Sequence, residues 1–351
     1  MPEPGLFERS PLWQLTWART LAFLREPDAL FWVFAFPVLM ALALGIAFRN
    51  PGAQKSHVGV EAGPRAAATM RALEAAPDLE IALLPADEAA AALRRGRISV
   101  LVRTADKGGP VLVYDPSRPE TRLAHLATVE ALERAAGRVD PLPLRTDTIV
   151  RPGSRYIDFL IPGLIGLNLL GTGMWGIGFP IVMARQLKLL KRLIATPMRR
   201  SHYLLAFMLA RMLWLVLEVA TIMIFARVAF GIVVRGSWAG FVVVCVVGAL
   251  SFSAMGLLVA CRARTVEAAM GLMNAAMLPM WLLSGVFFSA DRFPGVMQPF
   301  IRALPLTAAN DALRALTNEG AGFAGVIPAV LLLMAWGVGC FGVGLRLFRW
   351  D

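Results

Sequence analysis

The residues that most invite a chemical reading are a few polar side chains set in long apolar runs. Glu218 stands inside the run from Tyr203 to Phe230, seven residues after Arg211. That spacing puts the two on almost the same helix face, about two turns apart. A charge at that depth in hydrocarbon costs roughly 2.5–3.5 kcal/mol on insertion scales, so it needs a reason to be there. Two readings of Glu218 stand together. One places it on a translocation path, or in a charge pair at a dimer interface; the other makes it a structural ion pair or a snorkelling acid. Arg211 and Arg227 are read as snorkelling toward an interface. Asn168 and Asn274 are interior polar residues expected to hydrogen-bond between helices, with a substrate contact as the alternative.

Basic residues form a second pattern. Arg185, Lys188 and Arg192 lie at i, i+3 and i+7, one face of a helix, with Lys191 beside them, while Leu187, Leu190 and Ile194 share another face. Thr196-Pro197 ends that stretch. A basic amphipathic helix at a membrane boundary is either an anchor drawn to anionic lipid or a docking helix for a soluble partner. A third segment is too apolar for a solvated loop: Phe293-Pro294, Pro299-Phe300 and Leu304-Pro305-Leu306. There Thr307 is expected to cap a short helix carrying Asp311, Leu313 and Arg314, dipping into the leaflet or packing across the bundle.

Other chemistries are excluded by what the sequence lacks. It contains no GxxxxGK[ST], no HExxH, no nucleophile elbow and no paired carboxylates in an apolar run. His57, His125 and His202 offer no metal-ligand spacing. Cys245, Cys261 and Cys340 all fall in apolar runs or at their ends and are read as small packing residues. No catalytic residue, metal or cofactor is therefore expected of this chain. The net charge of +11 is distributed as a topology signal rather than as a nucleic-acid surface.

The elements that must hold these residues are legible from composition. Hydrophobic residues make up 57% of the 351, and mean hydropathy is +0.63, too apolar for a soluble chain of this length. Uncharged stretches run from Ala29 to Phe48, Phe159 to Ala184, Gly236 to Cys261, Ala268 to Ala290 and Gly320 to Leu345. Each is long enough for a helix to cross about 30 Å of hydrocarbon. With Tyr203 to Phe230 they predict six spans, at 29–48, 156–184, 203–230, 237–261, 267–289 and 323–346. The first is not read as a cleavable signal peptide, since it follows a Trp-rich arm (1–28) and lacks a small-residue cleavage site.

Basic residues in the short loops place both termini in the cytoplasm. Residues 185–202 are then a cytoplasmic loop, 290–322 an outer re-entrant loop and 347–351 a cytoplasmic tail. Residues 49–155 form an extracytoplasmic insert that reads as α/β. Strands are expected at Val58–Glu61, Leu79–Leu84, Ile98–Val102 and Val111–Tyr114, and helices at Pro64–Ala75, Ala86–Arg95 and Glu120–Gly137. Pro141, Pro143 and Pro152 mark its return linker. The glycines of the second and sixth spans suit close helix packing.

Two loops carry a resemblance to the permease subunits of type-2 ABC exporters, the ABC-2 family. Leu193-Ile194-Ala195-Thr196-Pro197 is followed by Arg199 before the third span, and Ser284-Gly285-Val286-Phe287-Phe288 ends the fifth. Phe293-Pro294, then Leu304-Pro305-Leu306-Thr307 and Asp311-Ala312-Leu313-Arg314, complete it, and the layout agrees over nearly the whole chain. Where many relatives carry an acidic residue and Gly-Thr at the start of the inside helix, this chain has Arg185-Gln186-Leu187-Lys188.

The resemblance implies a plasma (inner) membrane half-transporter that forms a homodimer or a heterodimer with a similar permease. It also implies two copies of a separate P-loop ATPase, which would hold the ATP and Mg. Arg185 to Thr196 would be the coupling helix, and Leu12 to Leu24, after the cap Ser10-Pro11, an interfacial connecting helix. ATP-driven closure would rock the spans between inward-open and outward-open states. An apolar or amphipathic cargo, such as a drug, antibiotic or lipid, fits the bundle, and membrane lipid and an envelope protein are further expected partners. The competing function is a receptor or scaffold whose outer domain senses or binds a partner. An intramembrane enzyme is disfavoured by the missing acid, base and nucleophile.

Overall fold

Uncharged stretches of this length satisfy their backbone in hydrocarbon only by closing hydrogen bonds within themselves. The computed structural model of the chain describes residues 11–48, 55–104, 109–139, 142, 153, 155–189, 200–263 and 265–347. Among them, six helices are long and apolar enough to cross a membrane, and the chain is a polytopic helical membrane protein. It divides into two compact units, one of residues 1–49 and 150–351 and the other of residues 50–149.

In the larger unit, helix α1 (Pro11–Leu24) precedes the first span, α2 (Pro27–Ala47). Pro27 and Asp28 suit the first turn of α2, where a missing N–H costs nothing and a carboxylate meets the helix dipole. Residues Phe31–Ala35 of α2 widen into a π-helical turn, just ahead of Pro37. The proline ring clashes with the backbone of the preceding turn and offers it no N–H, which a wider turn accommodates.

The remaining spans are α6 (Tyr156–Gln186), α7 (Arg200–Phe230), α8 (Trp238–Arg262), α9 (Val266–Leu283) and α12 (Phe323–Leu347). Ser237 and Thr265 cap α8 and α9, their hydroxyls accepting from the N–H groups of Gly240 and Ala268. Between α9 and α12 lie two 3-10 turns, then α10 (Gln298–Ala303) and α11 (Pro305–Arg314), which runs into a π turn at Ala315–Glu319.

The smaller unit is a four-stranded sheet in the order β2-β1-β3-β4. Its strands are β1 (Ser56–Glu61), β2 (Leu79–Leu84), β3 (Val100–Arg103) and β4 (Val111–Tyr114). β1 is parallel to β2 and β3, and β4 is antiparallel to β3. Alternation sorts the side chains onto two faces. Val58, Val60, Val100 and Val102 pack with Leu73 of α3 (Ala66–Glu74) and with Ala124 and Ala131 of α5 (Pro119–Ala135). Ile98 and Leu101 pack on the other face against Ala89 and Ala92 of α4 (Ala86–Arg94).

The interior of the larger unit is built on α6 and α8. Each has more than half of its apolar window buried, against 28% or less for the other spans. Glycines permit the contact. A Cβ on Gly256 would stand 2.7 Å from the carbonyl oxygen of Met174 and 2.9 Å from its Cα. By contrast, Gly339 of α12 has nothing within 4 Å of its notional Cβ. Gly256→Ala is therefore expected to destabilise the protein by about 1–3 kcal/mol, the usual cost of overpacking, while Gly339→Ala leaves it unchanged. Thermal unfolding of the two detergent-purified variants checks this; equal melting temperatures would contradict it.

Candidate functional site

Arg211 and Glu218 meet inside the membrane-spanning bundle. Nη1 of Arg211 donates to both carboxylate oxygens of Glu218 at 3.0 Å, and both side chains are almost fully buried, at 5% and 3% exposure. Thr172 of α6 closes the cluster. Its hydroxyl oxygen accepts from Arg211 Nη2 at 2.6 Å. Its single proton serves either the Asn168 carbonyl at 2.6 Å or Glu218 Oε2 at 3.2 Å. Arg211, expected to snorkel, is instead held in the interior. The reason is its spacing from Glu218: one extended guanidinium spans the two turns, and a paired charge costs far less to bury than a lone one.

The cluster reaches the first span through Asn168. Its Nδ2 donates to the carbonyl of Val33 at 3.1 Å. Pro37, four residues on, has no N–H to give that carbonyl, so the asparagine supplies what the helix cannot. The same substitution recurs at the Arg155 end of α6. Pro162 leaves the Asp158 carbonyl free, and Asn318 Nδ2 donates to it at 2.9 Å. Asp158 accepts in turn from the backbone N–H of Gly153 and from Arg155, whose Nη2 also donates to the Phe230 carbonyl at the end of α7. The carboxylate holds the Arg155 guanidinium above its usual pKa.

Helix α11 clamps the turn after α9. Asn310 Nδ2 donates to the Ser284 carbonyl at 2.9 Å. One turn later, Arg314 Nη2 bonds the Gly285 carbonyl, and its Nε donates to the Phe159 carbonyl at 3.3 Å. The guanidinium lies 3.7 Å over the Phe159 ring, and burial pushes its pKa down to about 10, so it stays charged at neutral pH. Gly285 adopts φ +68° at the bend. A Cβ on Gly163 would stand 3.2 Å from Arg314, so the glycine leaves room for the clamp. Asp311 is exposed and 3.5 Å from Arg314.

Pro305 opens α11 and Leu304 is its N-cap. Thr307, expected as the cap, is therefore the third residue of the helix, within its first turn, because proline at the first position sets the start. Asn274 also departs from expectation, with its side chain on the exposed face of α9 rather than between helices of this chain.

At the other end of α6 the chain turns sharply. The helix stops at Gln186, and Lys188 has φ +56°. One continuous helix from Arg185 to Thr196 is thus excluded, and Arg185 and Lys188 do not share a helical face. Arg185 points back into the bundle, where Nη1 donates to the carbonyls of Ala260 and Ala263 at 3.0 and 3.1 Å. It caps the end of α8, where exposed carbonyls and the helix dipole favour a cation. Leu190, Lys191, Arg192, Ile194, Thr196, Pro197 and the Ser10 cap lie outside the described residues.

Of the residues singled out from sequence, the structure brings together Glu218 and Asn168 with Arg211, and Arg314 with Asp311. It leaves Asn274 apart from both groups. Sequence reasoning missed Thr172, Asn310 and Asn318. A usable signal was present for Asn318: a proline inside a span, here Pro162, frees the carbonyl four residues earlier, and an asparagine elsewhere answers it.

Comparison with known proteins gives a consistent result. A family model described as "ABC-2 family transporter protein" matches residues 28–346. The chain is similar to a "Probable multidrug ABC transporter permease YbhS" of Escherichia coli K12, with 24% identity covering 91% of this chain and 92% of that one. It is also similar to "ABC transporter G family member 20" of Dictyostelium discoideum, with 24% identity over 62% of this chain and 30% of that longer protein. No solved structure matches.

Glu218→Gln leaves a buried guanidinium without its counter-charge and is expected to destabilise the protein by about 3–5 kcal/mol. Replacing both partners, Arg211→Met with Glu218→Leu, should restore most of that stability. Melting temperatures in one detergent decide it: a double variant as unstable as the single one would contradict a buried pair.

Proposed function

Because the chain belongs to the ABC-2 family of transporter proteins, we propose that it is the membrane subunit of an ATP-driven exporter. In this reading it carries no catalytic residue of its own, and ATP and Mg are bound by a separate P-loop ATPase. Two copies of the permease, or this chain and a similar one, would enclose the path. Both termini would be cytoplasmic and residues 49–155 extracytoplasmic, as the basic residues of the short loops suggest. An apolar or amphipathic cargo suits a bundle whose buried charges, Arg211 and Glu218, neutralise each other. The printed description of the Escherichia coli relative, a probable multidrug permease, supports that cargo class.

The observation that carries the proposal is the junction at Arg185. The guanidinium ties the end of α6 to the end of α8, and the backbone bends away immediately afterwards at Lys188. Force applied to the segment beyond this bend would reach the two most buried spans together. That segment, with Leu190, Lys191, Arg192, Ile194, Thr196 and Pro197, is the proposed handle for the ATPase. Glu218 and Asn168 then serve the movement as gating residues that fasten α2 and α7 to α6, rather than as the wall of an open channel. Asn274, exposed on α9, is the described polar side chain best placed for the path or the second subunit. Pro305, Asp311 and Arg314 belong to the outer clamp.

Co-expression with the P-loop ATPase encoded nearest to this gene is expected to yield a complex, and a photocrosslinker at Lys188 or Lys191 should capture that ATPase. Arg192→Glu should lower permease-dependent ATP hydrolysis without lowering the melting temperature. Capture of phospholipid alone, with ATP hydrolysis indifferent to the permease, would refute the proposal.

A further inference from the structure

The two edges of the sheet in the smaller unit are unlike. β4 is four residues long, and Pro110 and Pro116 flank it closely. β2 runs for six residues, Leu-Glu-Ile-Ala-Leu-Leu, in unbroken register with β1. It has none of the proline, basic residues or bulges by which natural edge strands avoid pairing. Ala82 and Leu83 are exposed, Leu83 to 51%.

The backbone defines which groups are open. Ser56 N–H donates to the Asp78 carbonyl at the start of the β1–β2 ladder, and Ala62 N–H to the Leu84 carbonyl at its end. In a parallel ladder that phase commits the even-numbered residues of β2 to β1, so the N–H and C=O groups of Ile81 and Leu83 point away from the sheet. Leu79 has already given its N–H to the Ala76 carbonyl, and Pro85 has none.

We propose that β2 pairs with β2 of a second copy of this chain, antiparallel about a two-fold axis at Ala82, joining two sheets into one of eight strands. Other self-pairings in the correct phase fail. Centring on Ile81 would need the spent N–H of Leu79, and centring on Leu83 would need the missing N–H of Pro85. Centring on Glu80 would oppose two carboxylates. Centring on Ala82 sets Ile81 against Leu83 of the second copy twice, so all four outward pairs of backbone groups are used. Glu80 then faces a leucine and keeps its own partner, His57, at 3.5 Å. The two small Ala82 side chains meet at the non-hydrogen-bonded site, where strands come closest. Leu83 of each copy covers Ile81 of the other, extending the apolar layer that Ile81 already borders. The self-complementarity of this one register identifies the occupant as a second copy rather than a foreign strand. The inference rests on the reading that two copies share one complex.

The test uses the full-length chain in native membranes, with Cys245, Cys261 and Cys340 replaced by alanine and a single Ala82→Cys introduced. At that pair Cα atoms lie about 4.5 Å apart, within disulfide reach. A reducible dimer is expected on mild oxidation. It should be lost when Leu83→Pro is added, since that N–H takes no part in the ladder to β1. Leu83→Lys gives a second blocking variant, and an unchanged melting temperature shows that either chain still folds. Light scattering of the purified protein separates the failures. A dimeric protein that gives no Ala82→Cys disulfide overturns the strand pairing but leaves the exporter reading standing. A disulfide to a different protein also overturns it. A monomer overturns the strand pairing and the two-copy form of the exporter, leaving only the form with a second, similar permease.

Discussion

The carbonyl of Val33 cannot take the usual helical bond from four residues on, because that residue is Pro37. Water could satisfy it at a surface, but hydrocarbon cannot. Asn168 of the second span meets the need, and the rest of the interior cluster follows from where that places it. The Asn168 carbonyl receives Thr172, whose oxygen steadies Arg211, and Arg211 neutralises Glu218. A proline in one span, a polar residue in the next and an ion pair in the third thus form a single chain of obligations. Three spans are fastened together near the π-helical turn of the first, where a helix bends at little cost.

The two ends of the second span are fixed by different chemistry. At one end Arg155, Asp158 and Asn318 bind its first turn to the last carbonyl of the third span and to the chain following α11. Nearby, Asn310 and Arg314 close the turn after the fifth span onto the same helix. At the other end, among the described residues, Arg185 joins it to the fourth span, one residue before the helix stops. Among the described residues, several charged and amide groups clamp one end of the bundle and Arg185, beside a sharp bend, the other. That difference supports the proposed motor contact beyond Lys188.

Much of this architecture was legible in the sequence. Five uncharged runs and the nearly uncharged run Tyr203 to Phe230 located all six helices, since no other structure hides so long a backbone in lipid, and alternation located β2 and β4 to the residue. The ion pair was half legible. Seven-residue spacing put Arg211 and Glu218 on one face, but spacing does not say whether an arginine reaches inward or snorkels, and that depended on Thr172 of another helix. The Arg185 pattern misled for a physical reason. Period 3.6 assumes an unbroken helix, whereas the helix stops at Gln186 and the backbone turns left-handed at Lys188. Thr307 misled because a proline two residues earlier had already begun the helix. Asn310 and Arg314 resemble ordinary loop polarity until the bend at Gly285 brings carbonyls to meet them.

The account is tested most directly by a thermal-stability double-mutant cycle on Pro37→Ala and Asn168→Leu. If Asn168 serves the carbonyl that Pro37 leaves free, Asn168→Leu should cost about 1–3 kcal/mol, the penalty of a buried unsatisfied carbonyl. In the Pro37→Ala background, where a backbone N–H is available again, most of that cost should disappear. Equal costs in the two backgrounds would show that proline and asparagine act independently, and the first link holding the three spans together would be gone.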